Sequence, residues 1–401
     1  MQKTTAQPVS ALAGLSGERR AKLALFLAIV FFYWMALYLY VPTLPTYAQT
    51  KTDNLALIGT ILAQYGLWQA IVRLPIGIAS DWIGRRKPFI LVGMMLAAAG
   101  AWAMGSAGDA MGVLIGRAIT GLAAGTWVPL VVAFSSLFPP AEAVRASALL
   151  TLVGSIGRVL ATSATGPLNN LGGYGLPFML AAGVAGVALL VTIALPEKPL
   201  PAKPPSLDRL TRLAGRRDVL LPSLLSAVSQ YVVWGVSFGF LPILAKQLGA
   251  NPVILSLFTT LNLLCYIGGN LTATAAVKRF GAPRMAYFSF TLMAVGVMAA
   301  ALAPSLPALM LAQIGLGIAS GVGYPVLMGM SIVRVAEHER ATAMGLHQAV
   351  YAIGMFAGPW LSGILAQIIG IRPMFAGTAL AALSLGVLGI RQLRAGAENP
   401  E

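Results

Sequence analysis

The chain has 401 residues, of which 58% are hydrophobic and only 10% are charged. A soluble domain is about 45–50% apolar and about 25% charged, so this composition excludes a soluble enzyme, a disordered chain and a nucleic-acid-binding domain. The formal net charge of +15 must then be explained by topology, and the single cysteine, Cys265, excludes a disulfide framework or a thiolate metal cluster.

A helix that crosses a bilayer needs roughly 20 mainly apolar residues. Twelve such stretches are predicted in chain order: Leu23–Tyr47, Leu55–Ser80, Phe89–Ala107, Met111–Phe134, Ala146–Leu168, Gly175–Leu195, Leu220–Ala245, Pro252–Val277, Met285–Ala303, Leu306–Val333, Ala341–Ile369 and Met374–Ile390. Lipid-exposed backbone must satisfy its own hydrogen bonds, and these runs lack the alternation of barrel strands, so the predicted fold is an all-α membrane protein. The first run is too long for the core of a signal peptide, and no cleavage is expected.

The cations fall on one side of these spans. Lys3, Arg19, Arg20 and Lys22 precede span 1, and Arg85, Arg86 and Lys87 lie between spans 2 and 3. Arg145 follows span 4, and Lys198, Lys203, Arg209, Arg212, Arg216 and Arg217 lie between spans 6 and 7. The later loops on that side add Lys278, Arg279, Arg284, Arg334 and Arg340, with Arg391 and Arg394 after span 12. The opposite loops hold only Lys51, Lys246 and Arg372. By the positive-inside rule both termini are expected in the cytoplasm, in a multi-pass protein of the plasma membrane or bacterial inner membrane. The partner of the positive charge is the lipid bilayer, with no role for nucleic acid.

One long polar connection divides the chain into an N-terminal six-helix half (residues 1–197), a linker (198–219) and a C-terminal six-helix half (220–401). Features recur across it at similar offsets. Trp34 and Pro42 answer to Trp234 and Pro242; Gly121, Gly125 and Pro129 answer to Gly317, Gly321 and Pro325. Glu142 and Arg145 answer to Glu337 and Arg340, and Gly166-Pro167 to Gly358-Pro359. Two parallel six-helix pseudo-repeats are the architecture of secondary transporters that bind solute between their halves near the midplane.

Gly77-Ile78-Ala79-Ser80-Asp81-Trp82-Ile83-Gly84-Arg85-Arg86-Lys87, between spans 2 and 3, resembles the signature loop of the major facilitator superfamily (MFS), with Trp82 where that family usually has Arg or Lys. The second copy, Thr274 to Arg284, keeps Lys278, Arg279 and Gly281 but has no acid matching Asp81. Gly116-Arg117 through Gly125 resembles the family's span 4 motif with a buried arginine. Span 5, with Gly154, Gly157, Gly166-Pro167 and Gly172-Gly173, is similar in part to the glycine-rich motif of antiporters. The resemblance is to the twelve-span drug/proton antiporter group. It implies the MFS fold, alternating access, export of a small organic solute, protons as a candidate coupling ion, a monomer and no cofactor.

Physically, Gly77 permits close helix approach, and Asp81 at the membrane edge can accept hydrogen bonds and complement a positive helix end. Asp81, Gly84, Arg85 and Arg86, with Glu142, Arg145, Glu337 and Arg340, form a candidate ionic latch on the inner face. An ordinary set of solvated inner charges is the plainer alternative, since exposed pairs contribute only about 0–1 kcal/mol each.

Arg73, Arg117 and Arg158 fall inside spans 2, 4 and 5, whereas all twelve acids fall in loops, tails or span ends. Charges within a membrane are unfavourable and point to function. Arg73 is close enough to the edge to snorkel, and all three remain candidates for substrate binding, coupling or a structural role. His347, the one histidine inside a span, titrates in a range useful for proton coupling, or else packs as a core residue. Candidate cavity residues are Tyr38, Trp68, Gln69, Trp234, Asn262 and Tyr351, within a wider aromatic and amide set comprising Trp34, Tyr65, Gln230, Tyr231, Tyr266, Tyr324 and Gln348. An organic-anion transporter or importer using the arginines is the alternative to export. A membrane enzyme or receptor is the remote one, because no catalytic constellation, metal-ligand cluster or phosphate loop is present.

Overall fold

The twelve predicted runs are helical in the computed structural model, which describes residues 17–139, 142–197 and 207–398. The spans are Arg19–Ala48, Leu55–Ile83, Lys87–Gly105, Ala110–Ser135, Ala146–Gly172, Gly175–Ala194, Arg217–Gln247, Pro252–Phe280, Ala282–Leu302, Leu306–Ile332, Thr342–Ile369 and Ile371–Leu393. The shortest has 19 residues, about 29 Å at a rise of about 1.5 Å per residue, enough for a hydrocarbon core about 30 Å thick. An even number of spans leaves both termini on one side, here the terminus side; the opposite surface is the far side.

Several helices extend past the apolar run because a polar residue finds a partner. Span 5 continues through Asn169, whose amide donates to the Thr43 hydroxyl at 2.8 Å. Span 12 starts at Ile371, and the guanidinium of Arg372 donates to the carbonyl of Ala301 at the end of span 9, at 2.8 Å. Helix starts are capped by Asn54, Asp109 and Asn251, each side chain accepting from a backbone N–H three residues on. Spans 1 and 7 lose regular helix at matching places. Before Pro42 the helix stops at Tyr38 and resumes as a short 3₁₀ turn. Before Pro242 the helix widens to a π-helix over Val233–Phe240. Proline lacks an N–H and its ring clashes with the preceding turn, so both spans yield just ahead of it.

Small residues set the packing within each half. A methyl group on Gly121 would lie 2.8 Å from the Gln64 carbonyl of span 2, and one on Gly317 would lie 2.5 Å from the Asn262 carbonyl of span 8. The two glycines therefore do the same work in the two pseudo-repeats, bringing span 4 onto span 2 and span 10 onto span 8.

The halves meet through spans 2 and 11 and through spans 5 and 8. On the far side this contact is close enough to exclude side chains. A methyl on Gly363 would lie 2.8 Å from Gly59 Cα, and one on Gly66 would overlap the backbone of Met355 and Phe356. Gly166 bears on the backbone of Pro252 and Val253, and the backbone N–H of Leu55 donates to the Gln367 amide oxygen at 2.7 Å. The terminus-side segment of span 4, Trp127–Ser135, packs instead against spans 2, 3 and 5 of its own half. The halves are thus in direct backbone contact on the far side, while this terminus-side segment of span 4 stays with its own half.

Candidate functional site

Three levels of the inter-half space carry polar side chains. Nearest the far side, the rings of Tyr65 (span 2) and Trp234 (span 7) face each other across the halves at 5.1 Å. Trp234 is buried and its indole N–H donates to Gln230 on its own helix at 3.1 Å. Behind Tyr65, inside the first half, lies Arg117, 2% exposed, its guanidinium 4.2 Å from the Tyr65 ring centroid. Two of its nitrogens, Nε and Nη1, have no hydrogen-bond partner.

At mid-depth is Arg158 of span 5. Its guanidinium sits 4.8 Å from the ring centre of Trp34 and 5.8 Å from that of Tyr38, both on span 1. Its Nε and Nη2 donate to the Gly154 carbonyl and the Ser155 hydroxyl of its own helix, at 3.3 and 3.1 Å. Beside it spans 5 and 8 are joined by the Thr260 and Thr162 hydroxyls at 2.9 Å.

Toward the terminus side is Arg73 of span 2. It is buried and directed into the protein rather than snorkelling. Its Nη2 donates to the Gln69 amide oxygen at 2.5 Å; its Nη1 crosses to span 11, donating to the Tyr351 hydroxyl at 2.9 Å and reaching the Gln348 oxygen at 3.5 Å. Arg73, Gln69, Gln348 and Tyr351 therefore form one hydrogen-bonded group across the two halves, and Tyr324 lies edge-on to Tyr351 at 6.1 Å.

Other predicted site residues take different positions. Trp68 is half-buried, bonded to Gln64 of its own helix and next to Gly121 of span 4. Asn262 is buried and donates to the Gln313 carbonyl of span 10 at 3.1 Å, tying two helices of one half together. His347 is fully buried against span 7, its Nδ1 3.0 Å from the Ser223 hydroxyl, with Nε2 unpartnered.

The signature loop is fixed within the first half. Gly84 ends span 2 with φ of 70°, a left-handed conformation that favours glycine. Asp81 pairs with Arg86 at 2.7 Å across that turn. Gly77 faces Val128 of span 4. A residue the sequence did not single out completes the loop: Glu197, after span 6, accepts from the backbone N–H groups of Arg86 and Lys87 at 2.5 and 2.7 Å. Lys87 in return donates to the carbonyls of Ile193 and Leu195 at the end of span 6, both at 2.7 Å. An anion at a helix start and a cation at a helix end both complement the helix dipole. No local pattern announces this exchange, because its partners are 110 residues apart.

Of the remaining latch candidates, Arg85 and Glu337 are exposed, and Arg340 donates to the Val335 carbonyl at 3.3 Å. Glu142 is half-buried at the start of span 5, and the side chain of Arg145 lies outside the described residues. The second half instead pairs Glu339 with Arg212 of the linker at 2.8 Å. Among the described residues no group of His, Cys, Asp and Glu could hold a metal ion.

A twelve-span helical protein of two pseudo-repeats with a polar space between them is the structure of a secondary transporter. The Major Facilitator Superfamily model matches residues 26–227 and 223–400, and the chain belongs to that family, whose members carry small solutes. It is 32% identical over 182 residues to the Inner membrane transport protein YajR of Escherichia coli (strain K12); the match covers 44% of this chain and 39% of that one, so it spans about two-fifths of the relative's length. Among solved structures, a point mutant of the nucleoside transporter NupG superposes with a TM-score of 0.77 at 16% identity, covering 92% of this chain and 99% of that one. A bacterial homologue of the human lysosomal transporter Spinster, inward-facing and unoccupied, gives 0.76 at 16% identity, covering 94% and 98%. At such identities the likeness concerns the fold alone.

Proposed function

We propose that this protein is an alternating-access exporter of a small organic solute, with the solute bound between the halves at the level of Arg158, Trp34 and Tyr38, below the Arg73–Tyr351 group. The observation that carries this reading is an asymmetry in how the halves meet: glycine-mediated backbone contact on the far side, and a terminus-side segment of span 4 that packs within its own half. With both termini in the cytoplasm, as the cation distribution favours, this conformation loads from the cytoplasm. The glycine pattern of span 5 supports export. The signature loop, Glu142, Arg145, Glu337 and Arg340 then serve as a latch that forms when the terminus side closes. For proton coupling, Asp81 at the membrane edge is better placed than His347, which is enclosed within one half.

The test uses a protein freed of its single thiol by Cys265→Ser. Cysteines introduced as Leu55→Cys and Gln367→Cys are joined by a short bifunctional reagent, and uptake is followed in inverted and right-side-out vesicles. Cross-linking should abolish transport, and accumulation should favour inverted vesicles. Unchanged turnover in the cross-linked protein would sink the alternating-access reading; accumulation in right-side-out vesicles would sink export.

A further inference from the structure

The charge inside this transporter has one sign. Arg73, Arg117 and Arg158 lie within spans, and none of the twelve acids of the sequence lies in a span interior. The partners around the arginines are neutral: tyrosine and serine hydroxyls, amide oxygens, a carbonyl and aromatic faces. Buried cations are normally paired, because desolvation without a counter-charge is strongly unfavourable. Among the described residues the protein supplies these three no counter-charge.

The three arginines are not equally able to receive one from a ligand. Arg117 is enclosed behind Tyr65 in the closed far region, so it adds to the positive field without being reached. Arg73 already donates to three neutral acceptors, two of them in the opposite half. Arg158 differs on each count. It is only partly buried, its two bonds go to its own helix, and its Nη1 has no protein partner among the described residues. Trp34 and Tyr38 flank its guanidinium on the first half, and Thr260 of the second half bonds to Thr162 one turn along the same helix.

We infer that the cargo is an organic anion with a flat apolar body, its carboxylate, sulfonate or phosphate bound by Arg158 and its body held against Trp34 and Tyr38. This rests on the reading that solute binds between the halves. A guanidinium offers a planar fork of donors to such groups, and aromatic walls suit a flat apolar body. The field of Arg73 and Arg117 favours the same sign and opposes lipophilic cations.

The experiment is thermal unfolding of the purified full chain with matched naphthalene probes: 1-naphthoate, 1-naphthalenesulfonate and 1-naphthyl phosphate against neutral 1-naphthamide and cationic 1-naphthylmethylamine. A ligand selective for the folded state raises the melting temperature by mass action. At least one anion should give a saturable rise, and the amide and amine should give none at equal concentration. Arg158→Gln should weaken anion affinity at least about tenfold, a loss equivalent to about 1.4 kcal/mol. Arg158→Lys, which keeps charge and fold, should retain part of it. Equal or greater stabilisation by the amide or amine, no response to any anion, or undiminished anion affinity in folded Arg158→Gln would overturn the inference. Counterflow of the best probe in proteoliposomes separates the two readings. Transport with no preference for anions overturns the cargo class alone, and anion binding that depends on Arg158 without transport overturns the exporter alone.

Discussion

The two ends of this molecule are held together by different physics. On the far side, glycines let the backbones of span 2 and span 11, and of span 5 and span 8, touch across the halves. The bonds there are few and uncharged, such as that from Leu55 to Gln367. On the terminus-side surface the structure relies on charge, and the ion pairs and charge-assisted bonds there join elements of one half or the linker to its neighbouring half: Asp81 with Arg86, Glu197 with the start of span 3, Arg212 with Glu339. Shape closes one end, while charge organises each half at the other. A contact made by shape is short-ranged and nearly all-or-none, whereas charged groups can exchange partners as the halves rock. The far side should therefore respond to volume and the terminus side to charge and salt.

The largest effect is expected from volume at the far side. Gly66→Leu would drive a side chain into the backbone of Met355 and Phe356, which cannot move aside as a flexible side chain could. Overpacking of this kind costs about 1–3 kcal/mol, so the far-closed state should lose about fivefold to 150-fold in population. Cysteine accessibility from the far side should rise and turnover fall. A Gly66→Leu protein with normal turnover would show that this contact is incidental to closure.

Next comes Glu197→Ala. Its carboxylate satisfies two backbone N–H groups at the start of span 3. Losing a cap typically costs about 1 kcal/mol and charge-assisted bonds somewhat more, so unfolding should become easier by about 1–2 kcal/mol. Thermal melting in detergent or nanodiscs reads the change. A stability equal to the parent protein would mean that water replaces the carboxylate without penalty, and that the loop needs no tether to span 6.

How much of this was legible in the sequence depends on range. The spans could be read because about twenty apolar residues in a row have one stable arrangement in lipid. The pseudo-repeat was readable because Gly121 and Gly317 meet the same local demand in each half. Side-chain direction was not readable. Arg73 sits near enough to the edge to snorkel yet points inward, because Gln69 lies one turn away and Tyr351 faces it from span 11. Trp68 and Asn262 belong to helix contacts within one half, which a hydrophobic pattern cannot distinguish from cavity positions. Glu197 was missed since its partners are fixed only when span 6 returns beside span 3.

Asp81→Asn is a smaller effect on stability and a sharper test of the comparison. Its pair with Arg86 leaves the Asp81 side chain 46% exposed, so the pair contributes at most about 0–1 kcal/mol here. If the carboxylate gains a second partner when the terminus side closes, turnover should fall several-fold while melting and ligand affinity stay near the parent values. Turnover and melting that decline together would make Asp81 a local staple of the loop, with no role in the exchange between conformations.

The smallest effect is expected at the linker. Arg212 and Glu339 pair at 2.8 Å, but the Arg212 side chain is 63% exposed, so Arg212→Gln should cost no more than about 0.5 kcal/mol at low salt. Raising ionic strength from 0.1 to 1 M shortens the screening length from about 10 Å to about 3 Å, and the difference between variant and parent should then vanish. The deficit of Gly66→Leu should persist through the same titration, because steric overlap is not screened. If salt instead rescued Gly66→Leu while leaving the Arg212→Gln deficit in place, the division of labour between a far side closed by shape and a terminus side organised by charge would be wrong at both ends.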